Sequence, residues 1–243
     1  MRIFIIRGLL LFILGEANIL NAKELQIETS EIYPFGHIDE KGNNAGLIYE
    51  ISNRIAENAG FTYKNKIIPF PRTILDLKNG NADFVIRYTN EEMLKVAIQV
   101  APTVGFSTII LSNFGVNYKS LDDLHGKTVG VIRGGVFDDR FFADNLIIKF
   151  EVRDYEQMFS MLLAKRIDAA IGIDIGLYST ARKLKISKSL LGTPLYLQKK
   201  YFILNYSKKN VDEKTIKILK QTINKMREKG DFERIEKKYR ALI

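Results

Sequence analysis

One arginine stands where an anion-binding group would be expected. Arg87 follows the apolar run Asp83–Ile86, a predicted buried strand, and it opens the polar loop Arg87-Tyr88-Thr89-Asn90. Open α/β sheets hold their ligands just outside the carboxyl ends of their strands. A planar guanidinium forms paired, charge-assisted hydrogen bonds with a carboxylate. We therefore interpret Arg87, Tyr88 and Thr89 as ligand-binding candidates; the alternative is that Arg87 is a surface residue paired with Glu91 or Glu92.

Two further segments could bind an anion. Arg72 lies in the loop after a predicted strand at Tyr63–Ile68, so the same strand-end argument makes it a candidate. The run Gly134-Gly135-Val136, preceded by Arg133, is predicted to open a helix whose free N–H groups would face a ligand. The alternative is an ordinary strand-to-helix turn, which also requires glycine.

An acceptor and an aromatic wall complete the predicted site. Asp174 ends the apolar run Ala169–Ile173 and could accept hydrogen bonds from a ligand, or it could cap a helix beginning at Ile175. Four aromatic residues could pack against a ligand or stack on a cation, although each could equally belong to the core. They are Tyr33, Phe35, Phe70 and Tyr88.

The residue inventory argues against several kinds of chemistry. The chain has no Cys and two His, which lie in a loop (His37) and a helical turn (His125). A zinc site needs a cluster of Cys or His ligands, and a Ser-His-Asp triad needs a suitably placed His. We therefore predict a non-catalytic protein with no metal and no cofactor.

Two groups of alternating strands and helices organise the chain. The first half is predicted to run β-α-β-α-β through Leu25–Thr29, Gly46–Asn58, Tyr63–Ile68, Thr73–Lys78 and Asp83–Ile86. That pattern indicates a parallel sheet covered by helices. It restarts at Lys127–Ile132, after a crossing near Leu111–Tyr118, and a second crossing is predicted near Pro194–Leu197. Two crossings between two α/β lobes suggest a hinge pair with a cleft between the lobes.

The beginning of the chain has the pattern of a secretory signal peptide. Arg2 and Arg7 precede the apolar core Leu9–Leu14, the segment Ala17–Ala22 is small and polar, and cleavage is expected near Ala22. The alternatives are a membrane anchor or a buried first strand. The net charge is +9, but the basic residues are scattered and interleaved with acids, which favours a solvated surface over nucleic-acid binding. An exported chain without Cys fits a bacterial periplasm.

Six short motifs occur in a fixed order along the chain. They are Tyr33-Pro34-Phe35, Gly46-Leu47, and the ranges 77–83 (LKNGNAD), 121–131 (LDDLHGKTVGV), 166–174 (RIDAAIGID) and 230–239 (GDFERIEKKY). Together they resemble the extracellular solute-binding proteins of family 3, the periplasmic amino-acid receptors of ABC importers. The resemblance covers essentially the whole chain after the signal.

The resemblance implies a type II periplasmic binding protein fold, in which two α/β lobes are joined by a two-segment hinge. Lobe 1 would comprise residues 23–111 and 197–243, and lobe 2 residues 112–196. A small polar solute, an amino acid or a related acid or amine, would close the cleft of a monomeric receptor, which would then dock on an ABC permease of the inner membrane. Asp174 matches the ammonium acceptor of the family. The family arginine aligns with Met93, so Arg87 or Arg72 would have to replace it.

Two alternatives to transport remain open. Some relatives of this fold are periplasmic dehydratases that use a carboxylate of the cleft as acid and base, for which Asp174 or Glu31 would be the candidate. The protein could also sense a ligand or bind a partner without transporting anything, and Met93 is compatible with that hypothesis.

Overall fold

A computed structural model describes residues 23–241, so the predicted signal peptide lies outside the described residues. Its strands are β1 (Leu25–Ser30), β2 (His37–Ile38), β3 (Asn44–Ala45), β4 (Tyr63–Ile68), β5 (Phe84–Arg87), β6 (Ala97–Ser112), β7 (Thr128–Ile132), β8 (Ile148–Val152), β9 (Ala169–Ile173) and β10 (Leu195–Ser207). Its helices are α1 (Leu47–Asn58), α2 (Arg72–Asn79), α3 (Glu91–Val96), α4 (Asp139–Ala143), α5 (Tyr155–Leu163), α6 (Asp174–Lys183), α7 (Glu213–Glu228) and α8 (Asp231–Arg240).

The first half of the chain builds the predicted β-α-β-α-β unit. Strand β1 pairs in parallel with β4 on one side and with β5 on the other. Helix α1 buries Leu47, Ile48, Ile51 and Ile55, which recur at helical spacing, so one face of the helix packs on the core. Helix α2 ends at Gly80, whose φ of 79° is the left-handed conformation in which glycine has no Cβ penalty. The prediction of this unit is confirmed.

The second half repeats the arrangement on a smaller scale. Strand β7 pairs in parallel with β8 and β9. Strand β9 is buried along its whole length, as expected for a strand covered on both faces. Helices α5 and α6 follow β8 and β9, and Tyr155, Phe159 and Leu162 of α5 are buried against the sheet. The carboxyl ends of the parallel strands β7 and β9 therefore lie at one edge, where the loop to α4 starts and where α6 follows β9 directly.

Two long antiparallel strands, β6 and β10, connect the halves into one eight-stranded sheet with the order β4-β1-β5-β10-β6-β9-β7-β8. Strand β10 pairs with β5, β6 pairs with β10 along most of its length, and residues 108–112 of β6 pair with β9. Among the described residues, no helix is long and apolar enough to cross a membrane. The residue bounds of the two lobes stay a prediction.

Strand β6 begins earlier than predicted. The sequence pattern predicts a start at Gly105, after Pro102, whereas the strand begins at Ala97. Proline interrupts a ladder unless it lies at an edge or a bulge. Here the segment from Pro102 to Gly105 has one residue more than the facing segment of β10, which is such a bulge. The proline is therefore accommodated inside the strand, and the predicted start was wrong.

A buried carboxyl group lies in the middle of β1. The Glu28 side chain is 6% exposed, and its Oε2 atom is buried without a hydrogen-bond partner. Burial and the nearby negative charge of Asp76 raise the pKa of Glu28 to about 7, although Arg72 and Lys66 oppose the shift. The unfolded chain would titrate near the ordinary value of 4.5. Folding therefore favours the protonated form, and the stability gained from it is lost as the pH rises towards 7.

The variant Glu28→Gln should remove this pH dependence. Gln is uncharged at every pH, so the unfolding free energy of the variant should increase relative to wild type between pH 5 and pH 8. Urea unfolding of both proteins across that range measures the difference. A difference that stays constant with pH would show that Glu28 does not titrate as described.

Candidate functional site

The guanidinium of Arg87 bridges loops from both halves of the sheet. Arg87 is the last residue of β5 and is 3% exposed. Its Nη1 atom donates to the carbonyl oxygen of Phe70 at 3.1 Å and to Oγ1 of Thr73 at 2.9 Å. Its Nη2 atom donates to the carbonyl oxygen of Gly134, in the loop after β7, at 3.3 Å. The arginine is therefore not a surface residue paired with Glu91 or Glu92.

This buried guanidinium has no carboxylate partner within residues 23–241. No ion pair involves Arg87, although fourteen such pairs occur in that part of the chain. Its Nε atom is buried without a hydrogen-bond partner, and its guanidinium carbon lies 3.7 Å from the centre of the Phe70 ring. Burial lowers the pKa of Arg87 to about 9, which leaves the group charged at neutral pH. An anion beside it would compensate this charge.

Arg87 lines a small cavity between the halves, which we call the deep cavity. Its volume is about 30 Å³, whereas ligand pockets commonly span about 300–1,000 Å³. Its lining is mostly apolar and consists of Ser30, Ile32, Phe35, Ile48, Phe70, Ile86, Arg87, Tyr88, Asn90, Val136, Phe137, Tyr155, Ile173 and Phe202. Arg87 is the sole charged residue in this set. The lining residues from the two halves are thus nearly in contact.

A larger cavity, which charged residues help to line, adjoins the deep cavity and is called the outer cleft. Its volume is about 510 Å³, and it shares Ile32, Phe70 and Tyr155 with the deep cavity. Charged and ionisable residues of both signs line it, namely Glu31, His37, Arg133, Arg153, Asp154, Glu156 and Lys183. A solute entering between the halves would meet this polar rim before it reached the apolar interior.

The aromatic residues of the deep cavity pack against one another. Phe202 lies 4.6 Å from Tyr88, 5.2 Å from Phe106 and 5.6 Å from Phe35, as measured between ring centres. The hydroxyl group of Tyr88 donates to the carbonyl oxygen of Phe106 at 3.2 Å. Of the four predicted aromatic residues, Phe35, Phe70 and Tyr88 line the deep cavity, whereas Tyr33 lines the outer cleft, with the Lys183 ammonium 5.0 Å from its ring centre.

The two other predicted arginines are paired at the surface. Arg72, whose side chain is 63% exposed, binds Asp76 at 2.9 Å and lines neither cavity. Arg133, whose side chain is 67% exposed, binds Glu151 at 3.1 Å and contributes only to the outer cleft. Thr89 donates no bond into either cavity, because its hydroxyl group binds Asn205 at 2.9 Å. The structure therefore groups neither Arg72 nor Thr89 with Arg87.

The glycine run does not open a helix, so that part of the prediction was wrong. Helix α4 begins at Asp139, and its N-cap is Asp138, whose side chain accepts from the N–H groups of Arg140 and Phe141. Gly134 has a φ of 73°, and the N–H of Gly135 closes a turn on the carbonyl oxygen of Ile132. The glycines therefore serve a tight turn. It brings the Gly134 carbonyl to Arg87 and Val136 into the deep cavity.

Asp174 already has partners. It is the first residue of α6 and is 8% exposed. Its Oδ1 accepts from the N–H of Ile175 at 2.7 Å, and its Oδ2 accepts from Nη2 of Arg240, on α8, at 3.0 Å. It lines neither cavity. Asp174, which matches the ammonium acceptor of the family, is thus already bound to Arg240 of the same chain.

Met93 points into a separate apolar cluster. It is fully buried among Leu77, Ala82, Val85 and Ala97, between α2 and α3. The Asn90 side chain caps α3 by accepting from the N–H of Met93 at 2.9 Å, and Asn90 also lines the deep cavity. The position aligned with the family arginine therefore contributes packing.

Several cavity residues were not predicted. Phe137, Tyr155 and Phe202 come from three separate elements, and each is also a core residue. Apolar residues that line a cavity have the same sequence pattern as those in a core. Among the residues missed, only Asn90 could have been identified from the sequence, because it lies in the same polar loop as Arg87.

Comparison with known proteins defines the class. The sensor domain of a histidine kinase with similarity to periplasmic binding proteins superposes with a TM-score of 0.76 at 17% identity, covering 90% of this chain and 96% of that chain. An ancestral arginine-binding protein bound to glutamine gives a TM-score of 0.74 at 21% identity, covering 89% and 97%. The chain thus has the two-lobe fold of periplasmic binding proteins.

Comparison of sequences indicates which family of this fold the chain resembles. The model of bacterial extracellular solute-binding proteins, family 3, matches residues 25–113. A probable amino-acid-binding protein of Bacillus subtilis (strain 168), YxeM, is 22% identical over 87% of this chain and 81% of its own length. The resemblance to solute-binding protein family 3 is confirmed, and a solute-binding role is supported.

Stability measurements can separate Arg87 from a structural arginine. Replacing Arg87 with Met removes a buried charge that has no ion-pair partner, at the cost of three hydrogen bonds, so the unfolding free energy should stay within about 1 kcal/mol of wild type. Replacing Arg240 with Met leaves the carboxylate of Asp174 without its partner and should cost about 1–2 kcal/mol. Urea unfolding of the ligand-free proteins measures both. A loss above about 2 kcal/mol for Arg87→Met would indicate that Arg87 holds the fold together.

Proposed function

We propose that the protein captures a small polar solute between its lobes and delivers it to an ABC-type importer. One observation carries the proposal: a charged guanidinium is buried at the junction of the two halves without a carboxylate partner among the described residues. A solute-binding role is supported by the family match and by the relatives, which are described as binding proteins. The solute would be an amino acid or a related small acid or amine.

Capture follows from the composition of the two cavities. The solute enters through the outer cleft and displaces the apolar contacts between the halves, because the deep cavity of about 30 Å³ is too small to hold it. Arg87 binds its anionic group, and the apolar wall packs against its body. Strands β6 and β10 act as the hinge between lobe 1 (residues 23–111 and 197–243) and lobe 2 (residues 112–196). A ligand that contacts both lobes stabilises the closed form by its differential affinity.

The other predicted site residues surround Arg87 or support neighbouring groups in this proposal. Tyr33 and Arg133 lie at the mouth of the cleft, and Val136 joins the wall. The Gly134-Gly135 turn carries the carbonyl that Arg87 binds. Arg72, Thr89 and Asp174 would support neighbouring groups, since each is bonded to another side chain.

We further propose that the protein acts in the periplasm, as a monomer, with an inner-membrane permease as its partner and without a nucleic-acid partner. The family name supports an extracellular location. The proposed role is non-catalytic, in line with relatives that are described as binding proteins. The dehydratase alternative keeps Glu31 as a candidate, because it lines the outer cleft, and turnover of a prephenate-like acid by the purified protein would establish it.

A ligand-sensing role is a second candidate. It is suggested by the superposition on a histidine kinase sensor domain. Both roles require a small solute in the cleft. Uptake of that solute in labelled form by cells with and without the gene separates them, since a receptor of an importer is needed for uptake and a sensor is not.

A ligand that binds the folded protein should stabilise it. Binding raises the unfolding free energy by RT ln(1 + [L]/Kd), which is about 2.7 kcal/mol at a hundredfold excess over Kd. Thermal unfolding in the presence of amino acids, amines and small carboxylates should therefore give a higher midpoint with at least one of them. If no small solute raises the midpoint, the proposed solute-binding role is contradicted.

A further inference from the structure

The N–H groups of Arg87 that form no hydrogen bond within the chain indicate what kind of anion it binds. A guanidinium has five N–H donors. Arg87 uses both donors of Nη1, on Phe70 and Thr73, and one of Nη2, on Gly134. The Nε–H, which is buried and without a partner, and one Nη2–H remain. These two atoms form one edge of the guanidinium, and two parallel N–H donors match the two oxygen atoms of a carboxylate.

The deep cavity offers nothing to neutralise a cation. No Asp or Glu belongs to its lining; apart from Arg87, the polar side chains there are the neutral groups of Ser30, Asn90, Tyr88 and Tyr155. A buried ammonium without a carboxylate partner carries a desolvation cost of several kcal/mol. In an amino acid, the α-ammonium is attached to the carbon atom that carries the carboxylate. If Arg87 binds the carboxylate, the ammonium is therefore buried in the same cavity.

The carboxylates around this region lie outside the deep cavity or are already engaged. Glu92, whose charge partly offsets the effect of burial on the pKa of Arg87, lines neither cavity. Asp174 is bound to Arg240 and to the N–H of Ile175. In the outer cleft, Asp154 is bound to Arg153 at 2.6 Å and Glu156 to Lys183 at 2.6 Å. Glu31 lines the outer cleft but not the deep cavity. None of these carboxylates lines the deep cavity beside Arg87.

The remaining lining determines the body of the ligand. Phe35, Phe137 and Phe202 line the cavity together with the aliphatic residues Ile32, Ile86 and Val136. The Phe70 ring lies against the guanidinium and shields it from water. Burial of apolar area against such a wall is favourable. The wall favours a hydrocarbon body over a polar one.

From these observations we propose that the cleft selects a monocarboxylate with a compact apolar body and without an α-ammonium group. This inference rests on the proposed solute-binding function and narrows its ligand class. The carboxylate lies on the Nε–Nη2 edge of Arg87, and the body packs against the apolar wall of the deep cavity. An amino acid of the same shape is discriminated against, because its ammonium has no acceptor of opposite charge.

Matched ligands that differ in one group test the proposal. Isothermal titration calorimetry compares 4-methylpentanoate with leucine and isopentylamine, and 3-phenylpropanoate with phenylalanine and phenethylamine. Shorter carboxylates down to propanoate, each with its amino acid and amine, complete the set. At least one carboxylate should bind at least tenfold more tightly than its amino acid, and no amine should bind. Arg87→Met should abolish that binding, and Arg87→Lys should weaken it at least tenfold, because an ammonium is not a planar fork.

A matched arginine control accompanies these variants. Arg54 is an exposed residue of α1 that lines neither the deep cavity nor the outer cleft, so Arg54→Met should bind like wild type. If the amino acids bind as tightly as their matched carboxylates, or more tightly, the proposed selectivity is wrong and the solute-binding function still holds.

The same conclusion follows if amino acids or amines bind and no carboxylate does. Binding of no solute in the set overturns the inference, and thermal unfolding with the wider panel then decides the function.

Discussion

The buried guanidinium of Arg87 is the interaction on which the rest of the site depends. Transfer of a charged group from water into a protein interior costs several kcal/mol unless partners compensate it. The chain supplies three oxygen atoms: one from Phe70 just before α2, one from Thr73 in the first turn of α2, and one from the turn after β7. These oxygens are neutral, so the compensation is incomplete. The same bonds connect the start of α2 with the turn after β7. The cleft lies where these two segments meet.

The sheet positions this group and leaves it little freedom. Arg87 ends β5, which lies between β1 and β10 in the sheet. The long strands β6 and β10 extend the sheet into the second half, and this brings the turn at Gly134 within reach of Arg87. The aromatic cluster of Tyr88, Phe106 and Phe202 packs behind it. A rigid scaffold thus holds a charge whose bonds span the junction of the two halves.

Local pattern predicted most of the fold, and long-range contact explains what it missed. The apolar runs at β5 and β9 and the helical spacing in α1 are local signals, and the structure has these elements where they were expected. The start of β6 was missed because Pro102 reads as a strand end, and the compensating bulge depends on pairing with β10. The glycine turn before α4 was read as a helix start because glycine serves both needs.

The candidate site was predictable only in part, for the same reason. Arg87 could be singled out because it comes at the carboxyl end of a buried strand, where open α/β sheets hold their ligands. The arginine partner of Asp174 could not, since Arg240 lies 66 residues away in the sequence and meets it only through the packing of α8 against the sheet. Phe137, Tyr155 and Phe202 have the sequence pattern of core residues, and only the fold shows that they face a cavity.

The central claim is that a ligand completes the charge balance of Arg87, and a crystal structure of the protein with a bound carboxylate from the matched set tests it most directly. The account predicts that both carboxylate oxygens lie about 2.7–2.9 Å from Nε and Nη2 of Arg87, with the ligand body against Phe35 and Phe202. A carboxylate held instead by Arg133 or Arg153 at the mouth of the cleft, with Nε of Arg87 still unbonded, would contradict it.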